Sequence, residues 1–229
     1  MKKNFLIFLL IFLLVPISQA FGLNRSSSMK PITSGPVKIE ADNIRLYLIQ
    51  AGYPVPEFTL YEDTLAGMKE AFQPFNSNSK IDDDIDPAGV MAYADCDNKI
   101  VLRDYVALPK YVKTFLVNTI LAHEMLHLVS GIPEFCSSNY NFSPNVRDVE
   151  EGLAQQIAVE QMVIYRFLTS RTTKLPAEVQ TIYANLRANV NALSALKTKS
   201  KQGSWAARNW RKQLFLTPPS KRDLFIQNS

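Results

Sequence analysis

The chain has 229 residues, 47% of them apolar and 20% charged, with a formal net charge of +4. That composition supports one sizeable core and excludes a disordered or fibrous chain, so a single domain is expected. Lys2 and Lys3 lie in a segment expected to be removed, which takes +4 to +2; so small an excess says little about partners, and nucleic acid is not expected as one.

Residues 1–20 read as a signal peptide. Lys2 and Lys3 form a positive start, Phe5 to Val15 is an unbroken apolar run, Pro16 ends it, and Ser18-Gln19-Ala20 supplies small residues for cleavage after Ala20. The run is short for a bilayer span of about 20 residues. No other stretch is read as long enough to cross, so the mature chain is expected to be secreted or periplasmic with no integral span. Residues 21–36, rich in Ser, Pro and Gly, read as a flexible leader, and 37–229 as the domain. In an exported protein the two cysteines, Cys96 and Cys136, point to one disulfide; the rival is a thiolate ligand from Cys136.

Ile39 to Gln50 is a helix candidate stopped by Gly52 and Pro54. Phe58 to Tyr61 suits a strand, and Thr64 to Phe72 a helix capped by Thr64. The acidic stretch Asn76 to Pro87 lacks the glycine and glutamate of an EF-hand loop and reads as solvated. Val90 to Ala94 and Lys99 to Arg103 read as two strands about a turn at Asp95 to Asn98. A long helix, Pro109 to Ser130, follows, ended by Gly131 and Pro133. After a Pro-, Ser- and Asn-rich loop, three helical segments span about 148–170, 176–199 and 204–215. The basic residues near Trp205 and Trp210 read as a solvated helix face.

The long helix carries His123-Glu124-Met125-Leu126-His127, and these are the only two histidines. Positions i and i+4 share a helix face, so both imidazoles can reach one metal ion. Chance would produce this arrangement on the order of once in 2,500 such chains. A catalytic zinc takes three protein ligands and keeps one position open. With no third histidine, the last ligand is Asp, Glu or Cys. Glu150 and Glu151 open the next helix. Ala154 and Ala158 lie near the direction of Glu151, where small residues allow close helix approach, while Val149, Leu153, Ile157, Ile164 and Leu168 form an apolar stripe elsewhere. Glu151 is therefore the expected ligand, with Glu150 a supporting or surface carboxylate.

His-Glu-Met-Leu-His followed by Glu-Glu-Gly-Leu-Ala resembles the gluzincin metallopeptidases of the zincin clan, more narrowly the peptidase-MA-like group, over roughly residues 90–165. The resemblance implies one Zn2+ held by His123, His127 and Glu151, with Glu124 as catalytic base. It implies an α+β zincin-like fold: a small mixed sheet, the active-site helix and a mainly helical C-terminal half. It also implies a strand forming the rim of the cleft, for which Lys99 to Arg103 is the candidate, and an extended peptide or protein substrate along it. Two features depart from the family. No histidine remains to stabilise the oxyanion, leaving Tyr140, Tyr165, Tyr183 (a weak candidate) or an arginine; and Gln155 stands where some relatives carry an orienting Asp. The function expected is an exported zinc metallopeptidase. The alternatives are a catalytically weak zinc-stabilised binding protein and a zinc hydrolase acting on a non-peptide amide.

Overall fold

Ile100-Val101-Leu102, three consecutive apolar residues, are all buried, the pattern of a strand covered on both faces. They form the middle of β4 (Lys99–Arg103). The computed structural model describes residues 28–68, 91–104, 110–133, 144–170 and 204–228. β1 (Lys30–Pro31), β2 (Thr59–Asp63), β3 (Ala92–Ala94) and β4 make a four-stranded sheet in the order β1-β2-β4-β3. β2 and β4 are parallel; β1 pairs with β2 and β3 with β4 antiparallel.

This order corrects the expectation that Lys99 to Arg103 is the rim strand. β4 has partners on both sides, and β3 is the edge among the described residues. The signal was in the sequence, since a continuous apolar run marks an interior strand better than an edge. The leader also ends earlier than expected: Lys30 and Pro31 pair with Glu62 and Tyr61, and the Ile32 N–H donates to the Leu60 carbonyl at 2.8 Å.

Five helices complete the described fold: α1 (Pro36–Gln50), α2 (Lys110–Val129), α3 (Pro144–Ser170), α4 (Ser204–Leu216) and α5 (Arg222–Asn228), with a 3-10 turn (Pro219–Lys221) before the last. The molecule is thus mixed α+β, mostly helical. α1 buries Ala41, Ile44 and Leu48 and leaves Ile39 and Leu46 exposed. It ends in a Schellman turn: Tyr53 N–H bonds the Leu48 carbonyl and Gly52 N–H the Ile49 carbonyl, each at 2.9 Å. Gly52 takes φ 85 there, and a Cβ on it would meet Lys212 Nζ. Thr64 caps a short helical turn as expected, its Oγ1 accepting the Gly67 N–H at 3.1 Å; the rest of that predicted helix, to Phe72, lies outside the described residues. So do the acidic stretch 76–87, the helical segment 176–199, Tyr140 and Tyr183.

α2 is the central core helix, with every side chain from Thr119 to Leu128 buried. Thr114–Pro133 is long and apolar enough to cross a membrane, contrary to the reading that no stretch after the signal is, but 83% of it is buried inside the fold. Its apolarity comes from being surrounded by protein. α3 packs along it through Leu153, Ala154, Ile157 and Ala158, all buried. The predicted apolar stripe of α3 fails at its far end, where Leu168 is 68% exposed; α3 outruns the core it packs against. Cys96 is disulfide-bonded, and Cys136, the chain's only other cysteine, lies outside the described residues.

Candidate metal centre

The last two turns of α2 bring His123 and His127 onto the face that meets the first described turns of α3. Their Nε2 atoms are 2.9 Å apart, and Glu151 Oε2 stands 3.2 Å from one and 3.3 Å from the other. His123, His127 and Glu151 form a buried group that can hold a metal ion. Donors about 2.1 Å from a tetrahedral ion lie about 3.4 Å from one another. The triangle of 2.9, 3.2 and 3.3 Å is close to that, so the three sequence-predicted ligands are brought together with spacing that fits one cation.

The charges fit as well. Glu124, Glu150 and Glu151 are all buried beside the histidines, and one guanidinium, Arg222, joins them. With the histidines neutral, the carboxylates outnumber the guanidinium among the described residues, a balance that suits a cation. Burial alone would keep His127 neutral, but Glu151 and Glu150 outweigh it and hold its pKa well above the usual imidazole range. Burial likewise opposes ionisation of Glu151, yet His127 and His123 together bring its carboxyl down to about 2. The proton that this pull places on His127 occupies the position a cation would take, and metal binding would release it.

Glu150 is fully buried and faces the other side of His127. Its Oε1 lies 3.3 Å from His127 Nδ1 and accepts the Gly131 N–H at 3.2 Å. Since a carboxylate only accepts, Nδ1 carries hydrogen and Nε2 is the atom available to a cation. Arg222 Nη1 pairs closely with Glu150 Oε2, and Ser130 Oγ is 3.2 Å from the same oxygen. Burial raises the Glu150 pKa, but Arg222 and then His127 outweigh it and hold the group ionised. His123 differs: its Nδ1 is buried with no hydrogen-bond partner among the described residues, as are both polar atoms of the Gln155 amide.

Glu124 follows His123 by one residue, about 100° around the helix, and is 8% exposed. Burial raises its pKa above the usual carboxylate range, partly offset by the two histidines and by a hydrogen bond from the Ala94 N–H. That N–H belongs to edge strand β3. Asp95 N–H bonds the Lys99 carbonyl and Arg103 N–H the Met91 carbonyl, each at 3.0 Å. By the antiparallel alternation, the peptide groups of Ala92 and Ala94 therefore point away from β4. Tyr165, one of the oxyanion candidates, is committed elsewhere: its hydroxyl bonds Glu40 and its ring stands 5.3 Å from that of Tyr47.

Sequence reasoning singled out His123, His127, Glu151 and Glu124, which lie close together here, and did not single out Arg222 or the Ala94 N–H. Arg222 joins the site across 72 positions from Glu150 (222 minus 150), beyond any local spacing pattern; in a segment that also carries Arg208, Arg211, Lys212 and Lys221 nothing singles it out. No family model, curated protein or solved structure matches the chain.

Proposed function

We propose that the chain is an exported zinc metallopeptidase of zincin-like architecture, which hydrolyses peptide bonds in an extended peptide or protein. The observation that carries this reading is the placement of Glu124. It stands beside the His123–His127–Glu151 triangle without belonging to it, and is hydrogen-bonded to the edge strand. Two imidazoles and one carboxylate are a donor set suited to zinc. Zinc held there supplies Lewis acidity, polarising a carbonyl oxygen and bringing the pKa of water towards 7.

The chain's own residues do the rest. Glu124, whose proton affinity burial has raised, takes a proton from the attacking water and returns it to the leaving amine. The outward peptide groups of β3 accept an extended substrate as an added strand, which lays its backbone beside Glu124. The burial of His123, His127 and Glu151 limits the access of bulk water to the ligands. The N-terminal basic, apolar and small-residue pattern supports export.

Glu124→Gln tests the reading. Zinc content stays at one ion per chain by elemental analysis, while cleavage of an unfolded protein substrate falls by about 10²–10⁴-fold. Equal cleavage by the variant, or no cleavage by the folded, zinc-loaded natural chain, overturns it. Hydrolysis of a small non-peptide amide alone, releasing its amine, would redirect it to the non-peptide alternative.

A further inference from the structure

We propose that Arg222 is a positioning residue for the metal centre, acting through Glu150 on His127, so that seating of the C-terminal hairpin and cation binding strengthen one another. The proposal rests on the reading of His123, His127 and Glu151 as metal ligands.

The guanidinium is 2% exposed and its nitrogens are fully directed. Nε bonds the carbonyls of Leu214 and Thr217, both at 3.1 Å, and Nη2 bonds the Phe215 carbonyl at 3.0 Å and also Ser130 Oγ. The turn between α4 and α5 thus fixes the plane of the guanidinium, which a flexible ammonium would not allow. Nη1 is left in ion-pair contact with Glu150 Oε2. Ser130 Oγ, which accepts from Arg222, lies 3.0 Å from the Phe215 carbonyl and 3.2 Å from Glu150 Oε2, tying the end of α2 to the same unit. Glu150 in turn sets the His127 ring through Nδ1. An acceptor on the far nitrogen fixes the tautomer and orientation of a metal-binding histidine, and losing it typically costs 10–100-fold in metal affinity. Here that acceptor is a fully buried carboxylate, tolerated only because a partner charge holds it. Arg222 comes from the far end of the described chain, so the hairpin carries part of the site's geometry.

Coulomb's law alone predicts the opposite sign. A positive charge near a cation site weakens binding, so removing it should tighten the site. The sign of the change therefore decides. Zn2+ is titrated into the whole chain against a chromophoric chelator, for the natural sequence, Arg222→Met and Arg222→Lys. Arg222→Met weakens zinc by about 10–100-fold, and Arg222→Lys, which keeps the charge but not the fork, falls between. A folded Arg222→Met chain that binds zinc equally or more tightly overturns the proposal. If Arg222→Met does not fold, amide exchange in the natural chain gives the answer. Because coupling is reciprocal, zinc slows exchange over residues 214–226, and exchange unchanged by zinc overturns the proposal. A natural chain that folds and takes up no zinc instead sinks the metal reading itself.

Discussion

His123 and His127 stand one turn apart on α2, equally buried, with their Nε2 atoms 2.9 Å from each other and within 3.3 Å of the same carboxylate oxygen. Behind them the two rings differ. His127 meets Glu150, which is held by Arg222, Ser130 and the Gly131 N–H. His123 has no such bond from its Nδ1 among the described residues, although it is buried. The α3 and C-terminal side of the site is wired by charge; the other side is held by shape. A buried polar network is rigid only when every member is satisfied, so the two sides should respond differently to substitution.

The largest effect is expected where both histidines share a partner. Glu151→Ala removes the donor common to both rings, leaving two imidazoles that cannot complete a three-ligand site. Zinc affinity should fall by more than about 100-fold, beyond the loss from a supporting residue. Competition with a chelator measures it. A smaller loss would show that another group supplies the third donor and would dissolve the comparison, because the rings would then not share one ligand.

Next come the two backings compared directly. Glu150→Gln weakens the acceptor behind His127 and strands the Arg222 guanidinium; zinc affinity is expected to drop about 10–100-fold. Gln155→Met replaces an amide that has no partner among the described residues with an apolar side chain of similar size. Exchanging an unsatisfied buried polar group for an apolar one is neutral or stabilising by about 1 kcal/mol, and zinc affinity should change less than about threefold. Parallel chelator titrations and denaturant midpoints read both variants. If Gln155→Met weakens zinc as much as Glu150→Gln does, His123 is supported through that amide and the asymmetry is gone.

Much of this centre was legible because its signals are local. The i, i+4 histidine spacing, the intervening Glu124 and the small residues following Glu151 all lie within single helices, where a 3.6-residue period converts sequence into a face. Three of the four strands, β2, β3 and β4, were read at nearly their observed bounds for the same reason. What failed depended on partners distant in sequence. Lys99 to Arg103 was placed at the rim although Ile100, Val101 and Leu102 are buried among neighbours on both sides. Leu168 continued an apolar stripe past the end of the core and is exposed. Glu150 could not be told from a surface residue, since what makes it buried and ionised is Arg222. A pairing of this kind has no period to announce it.

The smallest expected effect separates the ion pair from mere docking. The C-terminal hairpin also reaches the N-terminal half through Lys212, whose Nζ donates to the Ala51 carbonyl at 2.6 Å and lies 5.3 Å from the centre of the Tyr53 ring. It closes the Schellman turn of α1, far along the chain from the histidines. Lys212→Ala removes that charged hydrogen bond and cation–π contact, at an expected cost of about 1–2 kcal/mol in global stability by denaturant midpoint. The Glu150 shell is untouched, so zinc affinity should stay within about twofold, against the 10–100-fold expected of a broken His127 support. Should Lys212→Ala weaken zinc as Arg222→Met does, any loosening of the hairpin suffices, and the special standing of the His127 side would reduce to general packing.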